Sequence, residues 1–179
     1  MADKVDFQLL SFVMKRIGWI RFWCQSILGV VATAVLIFSN VIPNNSEGKL
    51  SLAPGLSVST ISLILLLISL WQGWLIIRTG RAIGSNARPS RGQTSKLIKR
   101  GLINDLLGLL FGLIGYQALM GELFIQASSQ GSFSIGPNAE NVIITSLEIL
   151  FVLGNTQVIT AHFIGLCLSL WLLRRIYKG

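Results

Sequence analysis

The segment Ile61-Ser-Leu-Ile-Leu-Leu-Leu-Ile-Ser-Leu70 decides the fold class of this chain. It contains no charged residue and lies at the centre of an apolar stretch that runs from about Leu56 to Ile77. A transmembrane helix needs roughly 20 mainly apolar residues to cross about 30 Å of hydrocarbon. The stretch reaches that length, so it predicts a helix that spans a membrane.

Three further stretches of the 179 residues have the same character. The chain is 52% hydrophobic and only 12% charged, whereas a soluble domain carries about 25% charged residues. We therefore expect an all-α fold, an integral membrane bundle of four transmembrane helices in a single membrane domain, residues 1–179. The predicted spans are about 22–42, 56–77, 102–125 and 142–173.

The positive charges are distributed unevenly between the two sides of the predicted spans. The net charge is +8, from 15 Lys and Arg against 7 Asp and Glu, and Lys49 is the one cation outside the N-terminal segment, the loop 78–101 and the tail. Such a bias places basic connections in the cytoplasm, which predicts an N-in, C-in topology with membrane lipids as partners and no nucleic acid. The loop cations expected to contact lipid or a partner protein are Arg78, Arg81, Arg88, Arg91, Lys96, Lys99 and Arg100.

Aromatic residues flank the predicted spans on that same basic side. Tryptophan and tyrosine favour the headgroup level of a membrane, where an apolar ring and a polar atom are both accommodated. Anchoring at this level is their expected role. The residues are Trp19, Phe22, Trp23, Trp71, Trp74, Trp171 and Tyr177.

The segment before the first span has apolar residues at helical spacing, including Leu9, Phe12 and Val13. This pattern predicts a short amphipathic helix from Val5 to Arg16 on the membrane surface, although an ordinary helix start ahead of the span is the alternative. No cleavable signal or transit peptide is visible in the sequence.

At the third span we expect Asp105 in the first turn, where a carboxylate is favoured by the helix dipole and nearby cations.

Polar residues recur every seven positions in the last span. A seven-residue step returns to nearly the same helical face, and a polar stripe on that face is expected to point toward the bundle, a cavity or a partner rather than lipid. The stripe allows one helix of about 50 Å from residue 141 to 174, which projects, tilts or breaks near Gly154. Its members are Asn141, Glu148, Asn155, His162 and Ser169.

Two interpretations of these polar residues are open. They line a path for a solute together with Gln157, Gln117 and Glu122, or they form hydrogen bonds between helices.

Small residues predict close helix packing, in a tight bundle or a homo-oligomer. The expected packing positions are Gly108, Gly112, Gly115, Gly121, Ala161 and Gly165.

Signatures of catalysis are lacking in the sequence. It has one histidine, and no HExxH, CxxC or phosphate-binding loop. We therefore expect no enzymatic activity, no catalytic residue, no metal site and no cofactor.

Four runs of residues in the first, third and fourth predicted spans have a familiar pattern. They are Arg16-Ile-Gly18-Trp19-Ile-Arg-Phe22-Trp23-Cys-Gln25, Gly101-x-x-Asn104-x-Leu106-x-Gly108, Leu113-x-Gly115-x-Gln117-Ala118-x-x-Gly121 and His162-Phe163-x-Gly165-Leu166-x-x-Ser169-Leu170 through Leu173-Arg174. With these runs the chain resembles the Tic-type proteins of the chloroplast inner envelope and their cyanobacterial relatives. The resemblance covers most of the chain from Lys15 onward. Asp105 and Gln157 depart from the family pattern.

This family is described both as a translocon subunit and as a plastid permease. The resemblance therefore implies a translocon-like or assembly accessory subunit that binds other membrane proteins, and as the alternative a permease for iron or another metal cation. Without a transit peptide, a cyanobacterial member in the plasma or thylakoid membrane is expected.

Overall fold

The computed structural model describes residues 7–41, 53–84, 89–131 and 146–178, and these residues form four long α-helices. The helices are α1 (Phe7–Val41), α2 (Ala53–Ile83), α3 (Arg91–Gly131) and α4 (Ser146–Lys178). Each is long and apolar enough to cross a membrane. The predicted all-α fold with four helices long and apolar enough to span a membrane is therefore confirmed for the described residues.

Successive helices run antiparallel and close into a four-helix ring. Gly18 of α1 faces Ile77 near the end of α2, and Gly29 farther along α1 faces Leu66. Gly55 at the start of α2 faces Leu119 in the second half of α3, so these two helices also run antiparallel. Helix α4 packs against both α3 and α1, so α1 and α3 lie across one diagonal and α2 and α4 across the other.

Buried positions follow steps of three and four residues along every helix. On α1 they include Ser11, Met14, Gly18, Arg21 and Gln25. This heptad spacing is typical of helices that pack at a shallow left-handed angle. Large apolar side chains occupy the outward faces, as lipid contact requires, and examples are Val30, Phe124 and Ile125.

The helices extend beyond the predicted spans at the basic end. Most of the predicted loop 78–101 is helical, because α2 continues to Ile83 and α3 already begins at Arg91. The predicted amphipathic segment forms the first turns of α1 from Phe7 rather than a separate helix.

Helix α4 is continuous through Gly154. A Cβ added at Gly154 would lie 3.0 Å from Val35 Cγ1 of α1, so this glycine allows α4 to pack closely on α1.

Two apolar clusters fill the bundle interior. One lies at the basic end and includes Met14, Ile98 and Leu172, and the other lies farther along and includes Leu66 and Val158. Between them the four helices contribute polar side chains to a common layer.

Candidate functional site

The centre of the polar layer is Arg21, whose side chain is fully buried. Its Nη2 lies 2.9 Å from Asp105 Oδ2 on α3 and donates to Ser69 Oγ on α2 at 2.8 Å. Its Nη1 donates to Ser169 Oγ on α4 at 2.7 Å. One guanidinium on α1 thus reaches all three other helices, which five N–H donors in a planar fork make possible.

Asp105 is likewise fully buried and has partners for both carboxylate oxygens. Besides Arg21 at Oδ2, its Oδ1 accepts from Ser69 Oγ at 2.5 Å and faces Gln25 Nε2 and His162 Nδ1 at 3.4 Å each. The prediction that Asp105 occupies the first turn of its helix is wrong. Helix α3 begins 14 residues earlier, at Arg91, so the charge is compensated by Arg21 rather than by a helix terminus.

Gln25 and His162 connect the polar layer to backbone carbonyl groups of neighbouring helices. Gln25 Nε2 donates to the carbonyl of Ala161 at 3.2 Å, and His162 Nε2 lies 3.1 Å from the carbonyl of Ser62. A carbonyl oxygen only accepts, so this contact is a hydrogen bond in the tautomer that has its proton on Nε2. Breaking either contact would leave a buried donor without its acceptor, which is unfavourable inside a membrane.

Glycines provide the space for these side chains. A Cβ added to Gly108 would collide with the imidazole of His162, and one added to Gly165 would lie 2.5 Å from Asp105 Oδ2. Gly112 and Gly115 are also buried and face Ile159 and Ser59. The predicted packing role of Ala161 fits its full burial.

The described members of the predicted stripe on α4 point into the bundle. Asn155, His162 and Ser169 are 4%, 0% and 0% exposed. Asn155 Nδ2 donates to the carbonyl of Gly112 at 2.9 Å. All three therefore bind other helices of the same chain. Asn141 and the side chain of Glu148 lie outside the described residues, as does Arg88.

Other residues that we expected beside the stripe do not join it. Gln117 is exposed on the outer face of α3, and Glu122 and Gln157 are half-buried. Gly121 is exposed too, and a Cβ there would meet nothing within 4 Å. Gln117 and Gly121 lie outside because they are on a different face of α3 from its buried residues. The buried face of this helix contains Asp105, Gly108, Gly112 and Gly115.

A small cavity lies beyond the network, among residues that include Val35, Ser59 and Asn155. Its volume is about 20 Å³, enough for one water molecule and too small for a hydrated ion. In the described part of the chain, no three His, Cys, Asp or Glu side chains are grouped as metal ligands.

Arg21, Gln25, Ser62 and Ser69 are not among the site residues that the sequence predicts. Arg21 immediately precedes the first predicted span, where a cation is expected to flank it. Two spacings in the sequence point to shared helix faces: Arg21 and Gln25 are four residues apart, and Ser62 is seven residues before Ser69.

The predicted family resemblance is confirmed by comparison with known proteins. The chain is 29% identical over 175 residues to Protein TIC 21, chloroplastic, of Arabidopsis thaliana, covering 93% of this chain and 57% of that protein. The chain thus spans a little over half the length of this curated relative. No solved structure shows significant similarity. The model of the family described as Protein of unknown function (DUF3611) matches residues 5–177, so the chain belongs to the DUF3611 family.

Proposed function

We propose that this protein is a non-enzymatic accessory subunit of a translocon-like or assembly complex, with an N-in, C-in topology in a cyanobacterial plasma or thylakoid membrane. Its polar interior holds its own helices together, and partner proteins bind its outer faces and its basic end. The observation that carries the proposal is the seating of Arg21 among Asp105, Ser69 and Ser169. The resemblance to envelope proteins described as translocon subunits gives further support.

The hydrogen-bonded side chains around Arg21 fill the interior of the bundle, where a path for a solute would have to run. Of the predicted path residues, His162 and Ser169 already have partners within the chain. Asp105, the carboxylate of this network, is already paired with Arg21, so it is not free to bind a passing cation. These contacts favour the accessory subunit over the alternative, a permease for iron or another metal cation.

The outer face of α3 offers a surface for a partner helix. Gln117 is exposed within a helix stretch apolar enough to span the membrane, and it lies about 26 Å along the helix from Arg100 at 1.5 Å per residue. A polar amide facing lipid is unfavourable. Gly121, one turn farther, leaves room for a close approach. We infer that a helix of another protein, or of a second copy, packs here.

The test is purification of the tagged full chain from native membranes in a mild detergent, followed by mass spectrometry of the chains that accompany it. We expect stoichiometric companion chains for the wild type and their loss in Gly121→Leu. The matched control is Val30→Trp, a bulky substitution at an exposed position of α1, diagonally across the bundle from α3, which should retain them. Wild-type protein that migrates as a lone protomer without companions would contradict the proposal.

A further inference from the structure

A groove of about 410 Å³ opens at the basic end of the bundle, between the first turns of α3 and the last turn of α4. Its walls include Arg91, Lys96 and Lys99 from α3 and Tyr177 from α4. This volume lies within the roughly 300–1,000 Å³ of pockets that hold small organic ligands. The groove has room for a phosphate and the glycerol attached to it.

The electrostatics of the groove favour an anion. Helix α3 starts beside it, with Ser90 as the capping residue: Gln93 N donates to Ser90 Oγ at 3.2 Å, and Ser90 N donates to Gln93 Oε1 at 3.1 Å. The positive end of the helix dipole therefore adds to the three cationic side chains. Among the described residues no carboxylate lines the groove, and Asp105, farther along α3, is neutralised by Arg21.

Contacts inside the chain hold the walls of the groove in position. The hydroxyls of Ser95 and Tyr177 are 3.0 Å apart and hydrogen-bonded. Lys99 Nζ lies 5.7 Å from the centroid of the Tyr177 ring. The floor includes Ile176, which is buried in the apolar cluster at this end of the bundle. The site is thus a shaped depression between two helices rather than a row of independent surface lysines.

Below the groove the protein surface becomes apolar. Ile103 lies seven residues beyond Lys96 on α3, and Leu170 lies seven residues before Tyr177 on α4; both are exposed. Seven-residue spacing keeps each pair on one helix face. Tyrosine and basic residues favour the headgroup level of a membrane. A molecule with a phosphate in the groove would therefore extend its remaining length along apolar side chains.

We propose that this groove binds the headgroup of an anionic phospholipid, with its phosphate beside Lys96 and Lys99 and its acyl chains against Ile103 and Leu170. The inference is independent of the proposed accessory role. The apolar continuation below the cations favours a lipid over free phosphate.

The experiment is native mass spectrometry of the full chain released from mixed micelles that contain phosphatidylglycerol or phosphatidylcholine. We expect wild-type protein to retain one phosphatidylglycerol and no phosphatidylcholine. The variant Lys96→Gln/Lys99→Gln should bind phosphatidylglycerol about 30-fold more weakly, from the usual contribution of each basic residue near an anionic surface. Lys96→Arg/Lys99→Arg should restore retention.

The matched control is Arg78→Gln/Arg81→Gln, which removes two exposed charges at the basic end of α2 outside the groove. It should weaken retention by no more than about threefold, because distant charges are screened. Equal losses in the control and the groove variant would overturn the proposal, since they would indicate diffuse attraction. Displacement of the lipid by millimolar inorganic phosphate, or equal retention of phosphatidylcholine, would overturn it as well.

Discussion

Arg21 Nη2 and Asp105 Oδ2 lie 2.9 Å apart, and neither side chain is exposed. The pair joins α1 to α3, the two helices across the diagonal of the bundle. A buried ion pair is favourable only when its remaining hydrogen-bonding groups are satisfied, and here Ser69, Gln25 and Ser169 supply those partners. The ion pair and its hydrogen bonds therefore link the four helices. Such links stabilise the bundle because helices in lipid have no strong hydrophobic driving force to associate.

Removing either charge of this pair should destabilise the bundle. Arg21→Gln or Asp105→Asn leaves the other charge buried without compensation, and each should lower the free energy of unfolding by about 3–5 kcal/mol. The double variant should lose at least about 2 kcal/mol less than the sum of the two. The measurement is unfolding of the purified chain by titration of a denaturing detergent into micelles. Strictly additive losses would show that the two side chains do not interact.

Ser169→Ala should destabilise the bundle by about 1–2 kcal/mol, because the fully buried Arg21 Nη1 loses its acceptor. The same detergent titration measures it. Ser128→Ala is the matched control, since Ser128 is exposed and its hydroxyl donates only to the carbonyl of Phe124 in its own helix. Equal effects at the two positions would argue against the interhelical bond.

The glycines of α3 should differ sharply in their tolerance of a methyl group. Gly108→Ala forces the added carbon against His162 and should destabilise the bundle by about 1–3 kcal/mol. Gly121→Ala meets open space and should be neutral or slightly stabilising, because alanine favours helix by about 1 kcal/mol over glycine. Thermal unfolding in micelles compares the two. A similar loss at Gly121 would mean that this face packs inside the chain.

The proposed topology can be tested with a membrane-impermeant maleimide. In a chain whose Cys24 and Cys167 are replaced by serine, Lys96→Cys should react only from the cytoplasmic face. Ser128→Cys, near the opposite end of α3, should react only from the other face. Labelling in the reverse pattern would contradict the N-in, C-in orientation.

The sequence predicts the four helices well because an apolar run of this length has few other stable forms in a membrane. It also predicts the inward stripe on α4, since Asn155, His162 and Ser169 share one face. The connection 78–101 is predicted as a loop because charge counting shows which side of the membrane a residue lies on, not its backbone conformation. Helix α3 therefore starts earlier than its apolar run.

The sequence does not predict the role of Arg21 for a related reason. A cation at the edge of an apolar run looks like a flanking charge until the residues that surround it are known. Its partners come from three other helices, at separations in the chain of 48, 84 and 148 residues. No local pattern contains that information, although the seven-residue spacing from Met14 places Arg21 on the inward face.

The most direct test of the central claim, that the polar interior is a structural tie and not a solute path, is ferrous-ion uptake into proteoliposomes that contain the full chain. The account predicts uptake equal to that of protein-free liposomes for the wild type, and no change in His162→Ala or Glu148→Gln. Saturable uptake by the wild type that is lost in His162→Ala, with the variant still folded in the membrane, would contradict the account.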